Sequence, residues 1–146
     1  MGKIILPPPL VFLACAGGMY LLPPFRLFHL SRLLILPIVL LAGLIAICSL
    51  WQFHQAKTTI SPLSVEKTSQ LITTGIYAFS RNPMYLSLWL ILLSWFLWLG
   101  NGLAILGLIF FVLIMNQFQI KQEEQALLRI FGDTYRQYCQ QVRRWI

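Results

Sequence analysis

Residues 83–119 read PMYLSLWLILLSWFLWLGNGLAILGLIFFVLIMNQFQ. The stretch contains no Asp, Glu, Lys or Arg, and Gly100-Asn101-Gly102 cuts it into two apolar blocks. The first block follows Asn82-Pro83, an N-cap residue and a proline at the first helical position. The Gly-Asn-Gly triplet reads as a tight turn, so the two blocks predict an antiparallel helical hairpin, 83–99 with 103–119. At about 1.5 Å per residue, each arm approaches the hydrocarbon thickness of a bilayer.

Two further apolar runs lie upstream. Leu33 to Phe53 is the cleaner, with Pro37 in its first turns. Ile4 to Leu22 opens on Pro7-Pro8-Pro9 and closes on Pro23-Pro24, so its helix is marginal in length. The composition agrees with a membrane chain. Of 146 residues, 58% are hydrophobic and 10% charged, and the mean hydropathy is +0.75. A soluble domain carries about 25% charged residues. These values exclude a disordered chain, a coiled coil and an ordinary soluble enzyme. The expected fold is an all-α integral membrane protein in one domain, 1–146. It has about four transmembrane helices (4–22, 33–53, 83–99, 103–119), a cytoplasmic loop 55–81 and C-terminal cytoplasmic or interfacial helices over 121–145.

Processing signals are weak. Lys3, an apolar run and Ala14-Cys15-Ala16 resemble a cleavable leader, but Pro7-Pro8-Pro9 interrupts its apolar core. The myristoylation pattern fails at Leu6. Cys15, Cys48 and Cys139 form no C-x-x-C pair, so neither a disulfide framework nor a metal site is expected.

The net charge is +7. The basic residues gather in short loops and at the C-terminus, which fits an anionic membrane surface and not nucleic acid. With four spans, nine basic residues share a side: Lys3, Lys57, Lys67, Arg81, Lys121, Arg129, Arg136, Arg143 and Arg144. Arg26 and Arg32 face the other. This bias places both termini in the cytoplasm, and the expected setting is a cytoplasmic membrane of bacterial type. All four acidic residues fall on the cytoplasmic side, and no span carries a central charge. A proton-coupled transporter needs an intramembrane carboxylate, so that class is disfavoured.

Polar chemistry therefore concentrates at one membrane face. The loop 55–81 is expected to be ordered, because Ile60, Leu63, Val65, Leu71, Ile72 and Ile76 recur through it. Arg81 and Asn82 sit at the mouth of the third helix, where free N–H groups and the helix dipole favour an anion. Glu123 lies one turn beyond Gln119, and Glu124 follows. The hairpin brings these groups together into a pocket suited to a zwitterionic ligand. Gly132 is a helix stop, and Tyr135, Tyr138, Val142 and Trp145 recur at helical spacing after it. That last helix is expected to lie in the interface with its apolar face toward lipid.

The same segments carry a resemblance. Leu71-Ile72-Thr73-Thr74-Gly75-Ile76-Tyr77, Arg81-Asn82-Pro83-Met84-Tyr85, Glu123-Glu124 and Phe131-Gly132-Asp133-Thr134-Tyr135-x-x-Tyr138 resemble, in this order, the isoprenylcysteine carboxyl methyltransferase family, to which phospholipid N-methyltransferases are related. The resemblance implies a helical membrane methyltransferase using S-adenosylmethionine. It implies that Ser69, Gln70, Leu71 and Ile72 line the cofactor pocket, that Tyr77 contacts the cofactor, and that Asn82, Pro83, Met84 and Tyr85 continue the wall. Glu123 would take the cofactor's amino group, with Glu124 beside it. Arg81 and Gln119 are expected to position the methyl acceptor. The family usually has His where Asn82 stands, and its carboxyl-methylating members have Arg where Gln119 stands. The expected partners are membrane lipids and a lipophilic or small-molecule acceptor. Two alternatives stand beside this reading: a non-enzymatic membrane subunit that keeps the fold, and a nicotinamide-dependent membrane reductase.

Overall fold

The computed structural model describes residues 7–57 and 69–146. The described residues are helical, with no strand and one isolated bridge between Arg26 and Asn101. We number the helices α1 (Pro8–Leu21), α2 (Arg32–Gln55), α3 (Pro83–Leu99), α4 (Ile105–Ile114) and α5 (Lys121–Gln141). Single 3₁₀ turns lie at Gly75–Ala78 and Gly102–Ala104, and a π-helical turn, Met115–Ile120, joins α4 to α5.

Sequence explains most helix ends. Pro8 and Pro83 occupy the first turns of α1 and α3, where a missing N–H costs nothing. The Ser31 hydroxyl accepts from the Leu33 N–H and caps α2. Gly100 closes α3 at φ 62°, and a Cβ there would lie 2.3 Å from the Phe28 carbonyl oxygen. The hairpin tip is then tied to the connection after α1. Asn101 Oδ1 accepts from the Phe25 and Leu103 N–H groups, and its Nδ2 donates to the Pro23 carbonyl.

α3 is the central element. α2 lies along one side of it, while α1 and α4 pack against the other. The main core takes Val11, Cys15 and Met19 from α1, Leu92 from α3, and Leu108 and Phe111 from α4. Gly107 lets α4 pass close to α1, since a Cβ there would lie 2.3 Å from Met19 Cγ. Such close approach matters where lipid removes the hydrophobic drive for helix association.

The outer surface is apolar. Leu33, Leu34, Leu40, Leu44 and Ile47 of α2 and Leu106, Ile109, Phe110 and Leu113 of α4 are exposed. Two helical stretches, Arg32–Gln55 and Gly102–Gln141, the latter kinked at Gly132, are long and apolar enough to cross a membrane. α1 and α3, of 14 and 17 residues, are shorter. An apolar groove of about 750 Å³ runs between α1 and α4, from Leu22 and Leu106 to Leu10 and Ile114.

Two expectations change. The apolar side of the C-terminal helix does not face lipid. Tyr135, Tyr138 and Val142 are buried against Leu71, Leu127 and Phe131. The cause is Gly132, whose φ of 52° and ψ of −122° turn the end of α5 back onto the body. Asn82 holds the N-cap position of α3 but makes no side-chain cap; its Nδ2 donates to the Arg144 carbonyl at 3.0 Å. The expected start of the first span at Ile4, and Ile60, Leu63 and Val65 of the loop, lie outside the described residues.

Candidate functional site

Five elements meet where the hairpin opens. α2 ends there, the Gly75–Ala78 turn crosses it, α3 begins, and the π-helical turn passes into α5. A π-helical turn offsets the residues that follow it and often marks a functional site. Here it carries Gln119, which is buried at 3% exposure.

Glu123 is the centre of the cluster. Its Oε1 accepts the Tyr85 hydroxyl at 2.5 Å and Gln119 Nε2 at 2.7 Å. Burial raises the Glu123 pKa above the ordinary carboxylate range. The two hydrogen bonds oppose that shift, and the charge of Glu124 adds to it. Tyr77 is buried beside this group. Ser49 lies near its hydroxyl, and its ring meets Phe53 edge-on at 5.5 Å. Its carbonyl accepts the Tyr138 hydroxyl at 2.6 Å. Burial pushes the Tyr77 phenol well above its usual pKa, and the Glu123 charge acts in the same direction.

Glu124 belongs to a different network. Arg144 meets it with Nε at 2.9 Å and Nη2 at 2.6 Å, and Arg81 Nη1 lies 3.0 Å from its Oε1. Hydrogen bonding to Glu124 raises the Arg144 pKa. Arg81 Nη1 also donates to Cys139 Sγ at 2.8 Å. The segment after α5 is thereby strapped across the start of α3. The Arg81 N–H donates to the Arg143 carbonyl, and Trp145 Nε1 reaches Asn116 Oδ1 at 3.1 Å.

The expected site residues thus fall into groups. Tyr77, Tyr85, Gln119 and Glu123 come together. Arg81, Asn82 and Glu124 join the strap. Pro83 is buried, while Met84 and Ile72 are half-buried. Leu71 packs on Tyr135 and Tyr138, and Ser69 and Gln70 are exposed. Sequence reading missed Ser49, Gln52 and Asn116 as parts of the site. Ser49 and Gln52 did carry a signal: they are polar residues three apart in the last turns of an apolar helix, hence on one face.

The unpaired groups would suit a ligand that carries an ammonium and a carboxylate, as S-adenosylmethionine does. Among the described residues, two buried side-chain polar atoms have no hydrogen-bond partner: Gln119 Oε1 and Arg81 Nε. One is an acceptor beside a carboxylate, and the other is a cationic donor. An amino-acid ligand supplies the complementary pair, an ammonium and a carboxylate.

The family model for phospholipid methyltransferases matches residues 31–134. An uncharacterised protein of Haemophilus influenzae is 65% identical over 63 residues, which cover 43% of this chain and all of that protein. The protein-S-isoprenylcysteine O-methyltransferase of Schizosaccharomyces pombe is 34% identical over 94 residues, 60% of this chain. The match spans only 39% of the length of that yeast enzyme. No solved structure matches the chain. With the family match running from the start of α2 to the Gly132 bend, and so over Tyr77, Tyr85, Gln119 and Glu123, the chain belongs to the phospholipid methyltransferase family.

Proposed function

We propose that this protein spans a cytoplasmic membrane four times and transfers a methyl group from S-adenosylmethionine to a lipophilic or small neutral acceptor at the cytoplasmic face. The observation that carries the reading is the Glu123 cluster, with the unmatched Gln119 Oε1 at its edge.

Each residue has a task. Glu123 and Gln119 hold the ammonium of the cofactor. Arg81 offers its Nε to the carboxylate end. Tyr77 and Tyr85 bring electron-rich rings to a cationic ligand. The bound cofactor supplies an electrophilic methyl group, which an aligned nucleophile takes by in-line displacement. The strap through Arg143, Arg144 and Trp145 holds the start of α3 and the π-helical turn in register around these groups.

The acceptor reading follows from charge. Arg81 and Arg144 are both paired with Glu124. Gln119 stands where an Arg would pair with a carboxylate substrate. Both points favour a neutral amine or thiol over a carboxylate. The apolar groove between α1 and α4 ends at Ile114, directly before the π-helical turn that bears Gln119. That position supports an acceptor arriving with its hydrocarbon part in the bilayer.

The test is calorimetric titration of the detergent-purified protein with S-adenosylmethionine, and with NADPH in parallel. Saturable binding of the former is expected, followed by methyl transfer to lipid amines or thiols. Binding of NADPH alone, or of neither by folded protein, overturns the reading.

A further inference from the structure

We propose that Gln52 is a positioning residue of the cofactor site, a latch that sets where the turn bearing Tyr77 begins. The proposal rests on the methyltransferase reading above.

The latch uses both ends of one amide. Gln52 Nε2 donates to the Thr74 carbonyl at 2.9 Å, and its Oε1 accepts the Ile76 N–H at 3.2 Å. The side chain thus pairs with backbone on either side of Gly75. The pairing also fixes the amide's orientation, because a flipped amide would set N–H against N–H and oxygen against oxygen. Gly75 stands between the two contacts at φ 61°, and a Cβ there would lie 1.9 Å from Gln52 Nε2. Position 75 must therefore be glycine for the latch to close, beyond the demand of its backbone angle.

The turn needs such support. Gly75–Ala78 is one isolated 3₁₀ turn, and a single turn is not self-sustaining. Ser49, Gln52 and Phe53 lie on one face of α2, at spacings of three and four. Phe53 meets the Tyr77 ring edge-on, and Ser49 lies near its hydroxyl. Tyr138 fixes the carbonyl of Tyr77 from the other side. Gln52 is the grip upstream of Tyr77, on the backbone that leads into it. Releasing it lets the turn slide while the rest of α2 stays in place.

The experiment uses the full chain in detergent, with Gln52→Met and Gln52→Glu, and Gln55→Ala as a control on the exposed end of the same helix. S-adenosylmethionine affinity, melting temperature and hydrogen exchange over residues 73–79 are read for each. Gln52→Met is expected to weaken cofactor binding by about ten- to a hundredfold, the scale of losing two neutral hydrogen bonds. Its melting temperature should stay near the wild type, and exchange over 73–79 should rise. Gln52→Glu keeps the acceptor for Ile76 and loses the donor for Thr74, so its loss should be intermediate; it also serves if Gln52→Met does not fold. Wild-type affinity in both variants, beside a wild type that binds, overturns the latch alone. A folded wild type that binds no S-adenosylmethionine overturns the methyltransferase reading and the latch with it. Gly75→Ala gives a second check. Its penalty should shrink in a Gln52→Ala background, where the amide no longer meets the added Cβ, and simple additivity counts against the contact.

Discussion

The Tyr85 hydroxyl and Gln119 Nε2 converge on a single oxygen of Glu123, at 2.5 Å and 2.7 Å. Tyr85 comes from the start of α3, and Glu123 from the start of α5. The bond therefore joins the two arms of the hairpin at their open ends. Both donors aim the carboxylate and stabilise its charged form against burial.

Removing one donor should weaken the site without dismantling it. A hydrogen bond to a charged group contributes about 1.5–3 kcal/mol. Tyr85→Phe should lower S-adenosylmethionine affinity by roughly tenfold or somewhat more. Glu123→Gln should lower it further, because the counter-charge itself is gone. Calorimetry on both variants checks the order. Equal affinity in Glu123→Gln and wild type would remove Glu123 from the site.

Acidity should act on binding and stability in opposite directions. The folded-state pKa of Glu123 is raised by burial, above an unfolded value of about 4.3. Folding thus favours the protonated acid. The stability it contributes is full below the unfolded pKa and is lost as pH rises through the raised folded value. Cofactor binding needs the carboxylate, so affinity should climb through that same raised value. It should fall again once the ligand's α-amino group deprotonates, near about 8. In Glu123→Gln the acid limb of an affinity–pH profile should flatten while the alkaline limb remains.

The Glu124 network should report on stability first. Arg144→Ala removes a two-point contact but leaves Arg81 to pair with Glu124. The partners are partly exposed, so a loss of about 1–2 kcal/mol is expected, between surface and buried pairs. Cofactor affinity should change little. Arg81→Ala should lose both stability and affinity, since its Nε is assigned to the ligand. Thermal melts beside titrations separate the two arginines. An affinity loss in Arg144→Ala as large as in Arg81→Ala would contradict the division of roles.

The fold was legible where one physical rule acted alone. The Gly-Asn-Gly turn, the Pro83 start and the Gly132 break each depend on local backbone chemistry, and each appears at its expected residue. The pairing of Gln119 with Glu123 followed from helical spacing. Tertiary competition decided the rest. Asn82 has good N-cap chemistry, yet the returning strap offers its amide a carbonyl at Arg144. Tyr135, Tyr138 and Val142 form an amphipathic face in either setting, and periodicity does not say whether protein or lipid covers it. Ser49 and Gln52 mark a polar face at the end of an apolar helix, but spacing does not say that the Gly75–Ala78 turn is what meets it.

Membrane topology gives the last test. Four crossings put Lys57 and Gln137 on one side and Arg26 on the other. All three are exposed, so each can carry a single cysteine. The background must lose Cys15, Cys48 and Cys139. Serine suits position 139, because its hydroxyl can still accept from Arg81. In sealed vesicles, a membrane-impermeant thiol reagent on the cytoplasmic face should label Lys57→Cys and Gln137→Cys and spare Arg26→Cys. Reversing the vesicles should reverse the pattern. α1 and α3 decide the outcome, since they are the shorter helices and the count of four depends on both. If α1 does not cross while the loop stays cytoplasmic, Arg26→Cys still labels from the far side, so a fourth cysteine must sit before α1. Lys3→Cys labelled from the cytoplasmic face completes the four crossings, and labelling from the far face leaves three.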